Sequence, residues 1–416
     1  MSSSGKRQIR QSTTSQANGF EQEEWFHGML PREDITKLLV DQGHFLVRMT
    51  EPKPNQGMKL VLSVKWNKKP HHFIINHDGK EASKYYIERF QFDSVIDLIN
   101  FYISRKVPVT EKSGACLIHP VPRQDWELYH ESIELGKMLG EGAFGAVHIG
   151  TLTQKDGVSK KVAVKVHKGK AITKEIIKEI CKEARTMRRF KHPNVVAFYG
   201  VAIEHEPIMI VMELVSGGAL DSYLVKNAAM ISVNDRIVMC CDAAKGVEYL
   251  HDKSCIHRDI AARNCLVNDG KIKISDFGLS RELTKEAKTY KLENLKQKLP
   301  IRWLSPETLI TAVYTFKSDV FSYGILMWEI FSSGKDPYPG MTAAEVNVQV
   351  KQGYRMEAPE NMPATLKAIM IQHCWPHDPD ERWNMTMIRK ALEDLVLGTS
   401  SKKSRMTKCS EMQKID

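Results

Sequence analysis

Apolar positions are almost absent from residues 1–24, then appear in two patterned blocks separated by a short polar stretch. The opening segment, rich in Ser, Gln, Thr and Glu, has too little apolar surface to offset the entropy of ordering it, and reads as a disordered tail. From Trp25 the pattern changes. Behind Pro31, Ile35, Leu38 and Leu39 fall on one side of a helix. Strand-like segments follow at Phe45–Arg48, at Lys59–Trp66 with Leu60, Leu62, Val64 and Trp66 alternating, and at His72–Asn76. A second helix is expected around Val95, Leu98, Ile99 and Tyr102. Helix, central strands and helix within residues 25–122 describe a compact α+β unit. Pro120, Pro122 and the polar residues after them introduce a linker, assigned to residues 123–132. Residues 133–397 begin strand-rich and continue mainly helical, and residues 398–416 form a polar, Lys-rich tail.

Length agrees with this division, since 416 residues exceed one ordinary domain. With 42% hydrophobic and 26% charged residues the chain is neither fibrous nor wholly disordered. A net charge of +10 points to an anionic partner without separating nucleic acid, membrane surface and phosphorylated protein. No stacking or groove-reading motif accompanies the charge, so nucleic acid is not expected. Eight cysteines are scattered with no Cys-x-x-Cys pair, which excludes the usual zinc and disulfide signatures. The N-terminus has no signal-peptide core, residue 2 is Ser rather than the Gly of a myristoylation site, and no apolar run could cross a bilayer. These features suggest a cytoplasmic chain.

Chemistry enters with Gly140-Glu141-Gly142-Ala143-Phe144-Gly145. A Gly-x-Gly-x-x-Gly run that opens a helix would suit a dinucleotide, but Ala146–Leu152 reads as another strand. Glycines between two strands let backbone amides fold over phosphates. Lys165 ends the apolar run Val162-Ala163-Val164, and Glu183 lies in a helical segment whose Ile176, Ile180, Ala184 and Met187 are expected to face the core. Either charge alone is most simply a solvated surface group. Their order behind the glycine hairpin is what a Lys–Glu pair aimed at nucleotide phosphates requires. Further on come His257-Arg258-Asp259, Ala261-Ala262-Arg263-Asn264, Asp276-Phe277-Gly278 and Ser305-Pro306-Glu307.

These segments resemble the catalytic loop, metal loop and end-of-activation-segment motifs of eukaryotic protein kinases. The resemblance implies a bilobal kinase fold using ATP and Mg²⁺. Asp259 is then the base that orients the acceptor hydroxyl, Lys165 and Glu183 form the phosphate-positioning pair, and Asn264 and Asp276 are the Mg²⁺ ligands. Gly140, Gly142, Phe144 and Gly145 would cover the nucleotide; Val147, Ala163 and Leu266 would sandwich the base. Met212 would guard the adenine pocket, with Glu213 and Val215 at the hinge. Glu307 and Arg382 would form a structural ion pair. Ala261, Arg263 and Pro300-Ile301-Arg302-Trp303 are similar to the tyrosine-kinase pattern, so the acceptor implied is protein tyrosine. An adaptor that acts only by binding is the rival reading, against which all five catalytic positions are present.

The first block resembles an SH2 domain through Trp25-Phe26-His27-Gly28, Pro31-Arg32 and Phe45-Leu46-Val47-Arg48. Phe45 and Val47 should face one side of their strand and Arg48 the other. A guanidinium fork matches two phosphate oxygens, which an ammonium cannot do. The resemblance adds Arg32, Thr50 and His72 to a phosphotyrosine pocket. From Trp25 to about Leu395 the chain is similar to the SH2–kinase portion of the Fes/Fer family, in segments such as Leu62–Trp66, Val211–Val215 and Cys255–Val267. The resemblance implies recruitment by tyrosine-phosphorylated proteins, with peripheral membrane association as an option. The residues ahead of Trp25 leave no room for the membrane-bending helical domain that family members carry there. Ser305 replaces the usual Ala, Trp383 the usual Pro, and Tyr290 stands as an autophosphorylation site expected to pair with Arg258 and nearby Lys side chains.

Overall fold

A computed structural model of the protein describes residues 19–52, 57–77, 79, 84–142, 145–167, 173–284, 287–292 and 299–412, with side chains up to residue 398. The first domain extends ahead of its expected boundary: Phe20–Gln22 make a 3₁₀ turn, and Phe20 is buried with its ring 5.1 Å from that of Phe26. Helix α1 (Arg32–Leu38) starts one residue later than the pattern suggested, with Pro31 as its extended N-cap. Strands β1 (His44–Thr50) and β2 (Lys59–Trp66) pair antiparallel, Arg48 opposite Val61. Asn67 and Lys68, both at positive φ, make a two-residue turn. That turn starts β3 (Lys69–Ile74) earlier than expected, with Asn76–His77 in a separate small sheet. A short parallel strand, β4 (His119–Pro120), completes the order β3-β2-β1-β4. Phe45 and Val47 are buried with Leu98, Ile99 and Tyr102 of helix α2 (Val95–Arg105), whereas Leu46 and Arg48 face the opposite side.

The second domain opens with a five-stranded sheet of β5 (Ile133–Gly142), β6 (Gly145–Thr153), β7 (Ser159–Val166), β8 (Phe198–Ala202) and β9 (Met209–Glu213), in the order β8-β9-β7-β6-β5. Gly145, at φ +143°, is required: a Cβ there would lie 2.2 Å from the Val166 carbonyl oxygen. Helix α3 (Lys174–Met187) crosses this sheet. Its buried face is Ile177, Cys181, Ala184 and Met187, so Ala184 and Met187 lie as expected. Ile176 does not: it is half-buried and, together with Ile180, which is half-buried but packs against the core, it lines a cavity of 570 Å³ beside Lys165, because the first domain occupies the face one residue round. The helical lobe is built on α4 (Leu220–Lys226), α5 (Val233–Asp252), α6 (Pro306–Thr311), α7 (Phe316–Phe331) and α8 (Ala343–Lys351). Strands β10 (Cys265–Asn268) and β11 (Lys271–Ile274) form a hairpin against α5. Helix α9 (Met385–Met412) continues past the expected boundary near Leu397, since no proline follows to stop it.

The two domains share one apolar core. Leu30, Ile35 and Leu46 cluster with Ile177, Cys181 and Ala184 of α3. Asp34 accepts two 2.7 Å hydrogen bonds from Arg185 of α3. At Gly28, φ +56°, the chain passes so close to the sheet lobe that a Cβ would lie 2.3 Å from the Ile203 carbonyl oxygen. The segment 123–132 is docked rather than free: Arg123 donates to Glu204 at 2.8 Å and His130 contacts the same carboxylate at 2.9 Å. Among the described residues no helix is long and apolar enough to cross a membrane.

Candidate functional site

Between the two lobes of the second domain, five of the sequence-selected side chains are tied together by direct contacts or neighbouring backbone. Strand β7 holds Lys165 opposite Val147 on one side and Ile210 on the other. Its Nζ donates to Glu183 Oε1 of α3 at 2.7 Å and lies 3.6 Å from Asp276 Oδ1. Burial alone would lower the ammonium pKa, but the two carboxylates outweigh it and hold Lys165 above its usual range. The same cation keeps Asp276 below the ordinary carboxylate range despite burial. Burial pushes the Glu183 carboxyl up against the pull of Lys165. With a cation 2.7 Å away, the ionised pair is the state the geometry supports.

Asp259 stands in a loop whose backbone is fixed from below. The buried Asp319 of α7 accepts from the amides of His257 at 2.8 Å and Arg258 at 2.9 Å, letting Arg258 hold φ +72°. Asn264 Nδ2 donates to the Asp259 carbonyl at 2.8 Å, and Arg263 forms an ion pair with the Asp259 carboxylate. Burial raises the Asp259 pKa against the lowering effect of Arg263. The β10–β11 hairpin brings the two metal candidates to the same end, since Ser275, beside Asp276, donates from its amide to the Asn264 carbonyl at 2.9 Å. Asp276 sits at φ +57° and accepts from the Gly278 amide at 3.3 Å. With the Asn264 amide nitrogen committed, its side-chain oxygen and the Asp276 carboxylate form a hard-oxygen donor set, of the kind that suits Mg²⁺.

Around this group the apolar candidates fall on facing strands. Ala163 pairs with Met212 across β7 and β9, Val215 is buried just beyond, and Leu266 lies opposite Lys273 in the hairpin. Glu213 is held by Lys273 at 3.0 Å and accepts from the Ala197 amide at 3.1 Å, so its side chain braces the hinge. Gly140 and Gly142 pair with Val147 and Gly145 in the β5–β6 hairpin; Phe144 lies outside the described residues. Glu307 accepts from Arg382 at 2.9 and 2.8 Å, and Arg382 is fully buried. Tyr290 lies over Arg258 at 4.7 Å and Arg281 at 5.5 Å, and two Arg258 nitrogens, Nε and Nη2, have no acceptor.

The first domain holds a cavity of 440 Å³ lined by Arg32, Arg48, Thr50 and His72. Arg48 is 6% exposed, and among the described residues its side chain donates to the Leu30 carbonyl at 3.4 Å. Burial, helped by repulsion from Arg32, lowers the Arg48 guanidinium to about 10, still a cation at neutral pH. The same two causes drop His72 to about 4, and its Nδ1 contacts Ser63 Oγ at 2.9 Å. A buried cation repelled by a second arginine and unpartnered at its Nε is suited to an anion.

Sequence reasoning missed two supporting carboxylates. Asp319 carried a legible signal, a charge directly ahead of the mainly apolar run Val320–Phe331. Glu329 is 4% exposed and accepts at 3.0 Å from both the Ala262 amide and the Trp303 indole; Trp303 in turn carries the Arg263 guanidinium 4.0 Å above its ring. Glu329 is the one charge within that run, a signal of a buried acid that says nothing of the groups it holds.

Comparison with known proteins agrees with this geometry. The sequence pattern of protein tyrosine and serine/threonine kinases matches residues 133–392, and that of the SH2 domain matches residues 25–102. Fer-related kinase 1 of Caenorhabditis elegans is 41% identical over 374 residues, covering 89% of this chain and 93% of its own length. Tyrosine-protein kinase Fer of Homo sapiens is 39% identical over 373 residues, and there the match spans 44% of the relative. Tyrosine-protein kinase transforming protein Fps of avian sarcoma virus (strain PRCII) is 39% identical over 362 residues, 65% of its length. The chain thus spans under half the length of the human relative and nearly all of the nematode one. With an SH2 domain docked on a kinase domain and this kinship over most of its length, the chain belongs to the Fes/Fer family of protein tyrosine kinases.

Proposed function

We propose that the protein transfers the γ-phosphoryl group of ATP to tyrosine side chains of proteins, and that its SH2 domain holds phosphotyrosine on partner proteins. The observation that carries the catalytic part is the meeting of Lys165 with Glu183 and Asp276 beside a loop in which Arg263 and Asn264 fix Asp259. Attack by the phenolic oxygen forms a new O–P bond, the bond to ADP breaks, and the phenolic proton passes to Asp259. Phosphoryl transfer has a loose transition state, so positioning and charge compensation do most of the work. Lys165 supplies a cation for the nucleotide phosphates, and Arg263 orients the base while resting on Trp303. Asn264 and Asp276 would hold Mg²⁺, which when bound neutralises phosphate charge. Two free Arg258 nitrogens beside Tyr290 support a role for phosphorylated Tyr290 in ordering the activation segment. A cytoplasmic location, with recruitment to the inner face of the plasma membrane through phosphorylated partners, fits the charge of +10 and the SH2 pocket.

The decisive experiment is phosphate transfer from Mg²⁺-ATP to a poly-Glu/Tyr substrate by wild type, Lys165→Met and Asp259→Asn. Activity in the wild type alone is expected. Transfer to serine instead of tyrosine, or undiminished rates in both variants, would overturn the reading.

A further inference from the structure

The cavity beside Arg48 is not closed by its own domain. Its far wall is the first two turns of α3 in the kinase domain, and Lys174 and Lys178 line it together with Arg32, Arg48 and His72. These two lysines are held there by the fold. Ile177, between them in sequence, is 5% exposed and packs in the core shared with Leu30 and Leu46. Lys174 is the first residue of a 14-residue helix whose N-cap, Thr173, accepts from the Ile176 amide, so the positive end of the helix dipole lies at the same wall. Lys178 pairs with Glu33 at 3.4 Å, but the partners are 44% and 51% exposed, a loose contact that a dianion can outcompete. The other acidic residue lining the cavity is Glu51. Two observations point independently to a ligand here. Arg48 is 94% buried by its 6% exposure, lines the cavity and has no partner at Nε. Arg32 donates no side-chain hydrogen bond among the described residues. The strand that carries His72 presents the apolar Ile74 to the cavity two residues on, so the described cations beyond the two arginines come from the other domain.

We propose that the phosphotyrosine site is shared between the domains: Arg48 and Arg32 grip the phosphate from the SH2 side, and the Lys174 and Lys178 ammonium groups of the kinase domain complete its shell. The proposal rests on the cavity being a phosphotyrosine pocket. Four cations around a phosphate monoester dianion leave two positive charges, which Glu33 and Glu51 in the cavity lining balance. The bound phosphate thereby touches the helix that carries Glu183.

The test is calorimetric titration of a phosphotyrosyl peptide, and separately of phenyl phosphate, into the full chain. Arg48→Ala should weaken both ligands about a hundredfold, and Lys174→Gln/Lys178→Gln about tenfold. Lys174→Arg/Lys178→Arg should restore most of the lost affinity, and Lys178→Glu should weaken binding beyond the Gln variant. Thermal unfolding confirms that each variant is folded. Unchanged affinity in the Gln pair with a large loss in Arg48→Ala overturns the shared site alone. Unchanged affinity in Arg48→Ala overturns the pocket itself. A phosphoseryl peptide bound as tightly as the phosphotyrosyl one overturns the ligand class.

Discussion

In the catalytic cleft the Lys165 ammonium lies 2.7 Å from Glu183 and 3.6 Å from Asp276, whereas in the SH2 cavity Arg48 and Arg32 repel each other and the buried Arg48 Nε has no partner among the described residues. Both places suit phosphate, yet their charge is arranged in opposite ways. A site that must release its product gains from a cation already compensated by acids, because the phosphate then competes with partners in place. A site that must hold gains from buried cations with nothing to satisfy them, since the ligand removes the penalty of their burial. The cleft pays for its order in advance; the pocket is completed by its ligand.

The comparison can be broken or sharpened in order of effect. Asp259→Asn should cut kcat on poly-Glu/Tyr by about a thousandfold with little change in KM for ATP, the size expected when a positioned base is lost. A similar rise in KM instead would make Asp259 a binding residue. Next, Arg48→Lys should weaken phosphopeptide binding by about a hundredfold, because the ammonium keeps the charge but loses the two-pronged match. Wild-type affinity in a titration would remove the distinction between fork and point charge. Tyr290→Phe should leave the initial rate unchanged while abolishing a rise of about fivefold after preincubation with Mg²⁺-ATP, since no phosphate can then reach Arg258. Loss of the initial rate itself would show that the phenol, stacked on Arg258, already supports the segment.

The smallest effect concerns Glu329, a buried acid bonded to no cation. Burial raises its pKa to about 7 from an ordinary 4.5, against hydrogen bonds from Trp303 and Ala262 that favour the charged form. Between those values the folded chain keeps a proton that the unfolded chain releases. Stability therefore falls as pH rises from about 4.5 to about 7, by at most roughly 1 kcal/mol per pH unit, and levels off above. Glu329→Gln should flatten thermal unfolding midpoints across this window; an unchanged slope would show that the carboxylate is already ionised.

Much of this was legible before any coordinates. Lys59–Trp66 was bounded correctly because alternation and the following Asn67-Lys68 turn agree. The kinase motifs were legible because their chemistry demands particular residue types in one order, and the contacts of Lys165, Asp259, Arg263 and Arg382 join the residues those motifs pair. The register of α3 was not. Ile176 and Ile180 satisfy the same spacing as Ile177 and Cys181, and only the docked SH2 domain decides which face is covered. The docking of segment 123–132 was not legible either, because polar residues such as Arg123 and His130 look solvated until Glu204 arrives from elsewhere in the chain.

The sequence by itself determined which atoms are available: a lysine, three acids and an amide for the proposed phosphoryl transfer, and an arginine fork on a strand for the proposed phosphotyrosine site. Periodicity and motif order act over a few residues, so they specify elements and chemistry. Which wall of α3 meets the SH2 cavity, and which buried acids stay without a cation, depends on packing between segments more than a hundred residues apart, as with Asp34 and Arg185. Such contacts are set by the shape of the shared core, which no local pattern encodes.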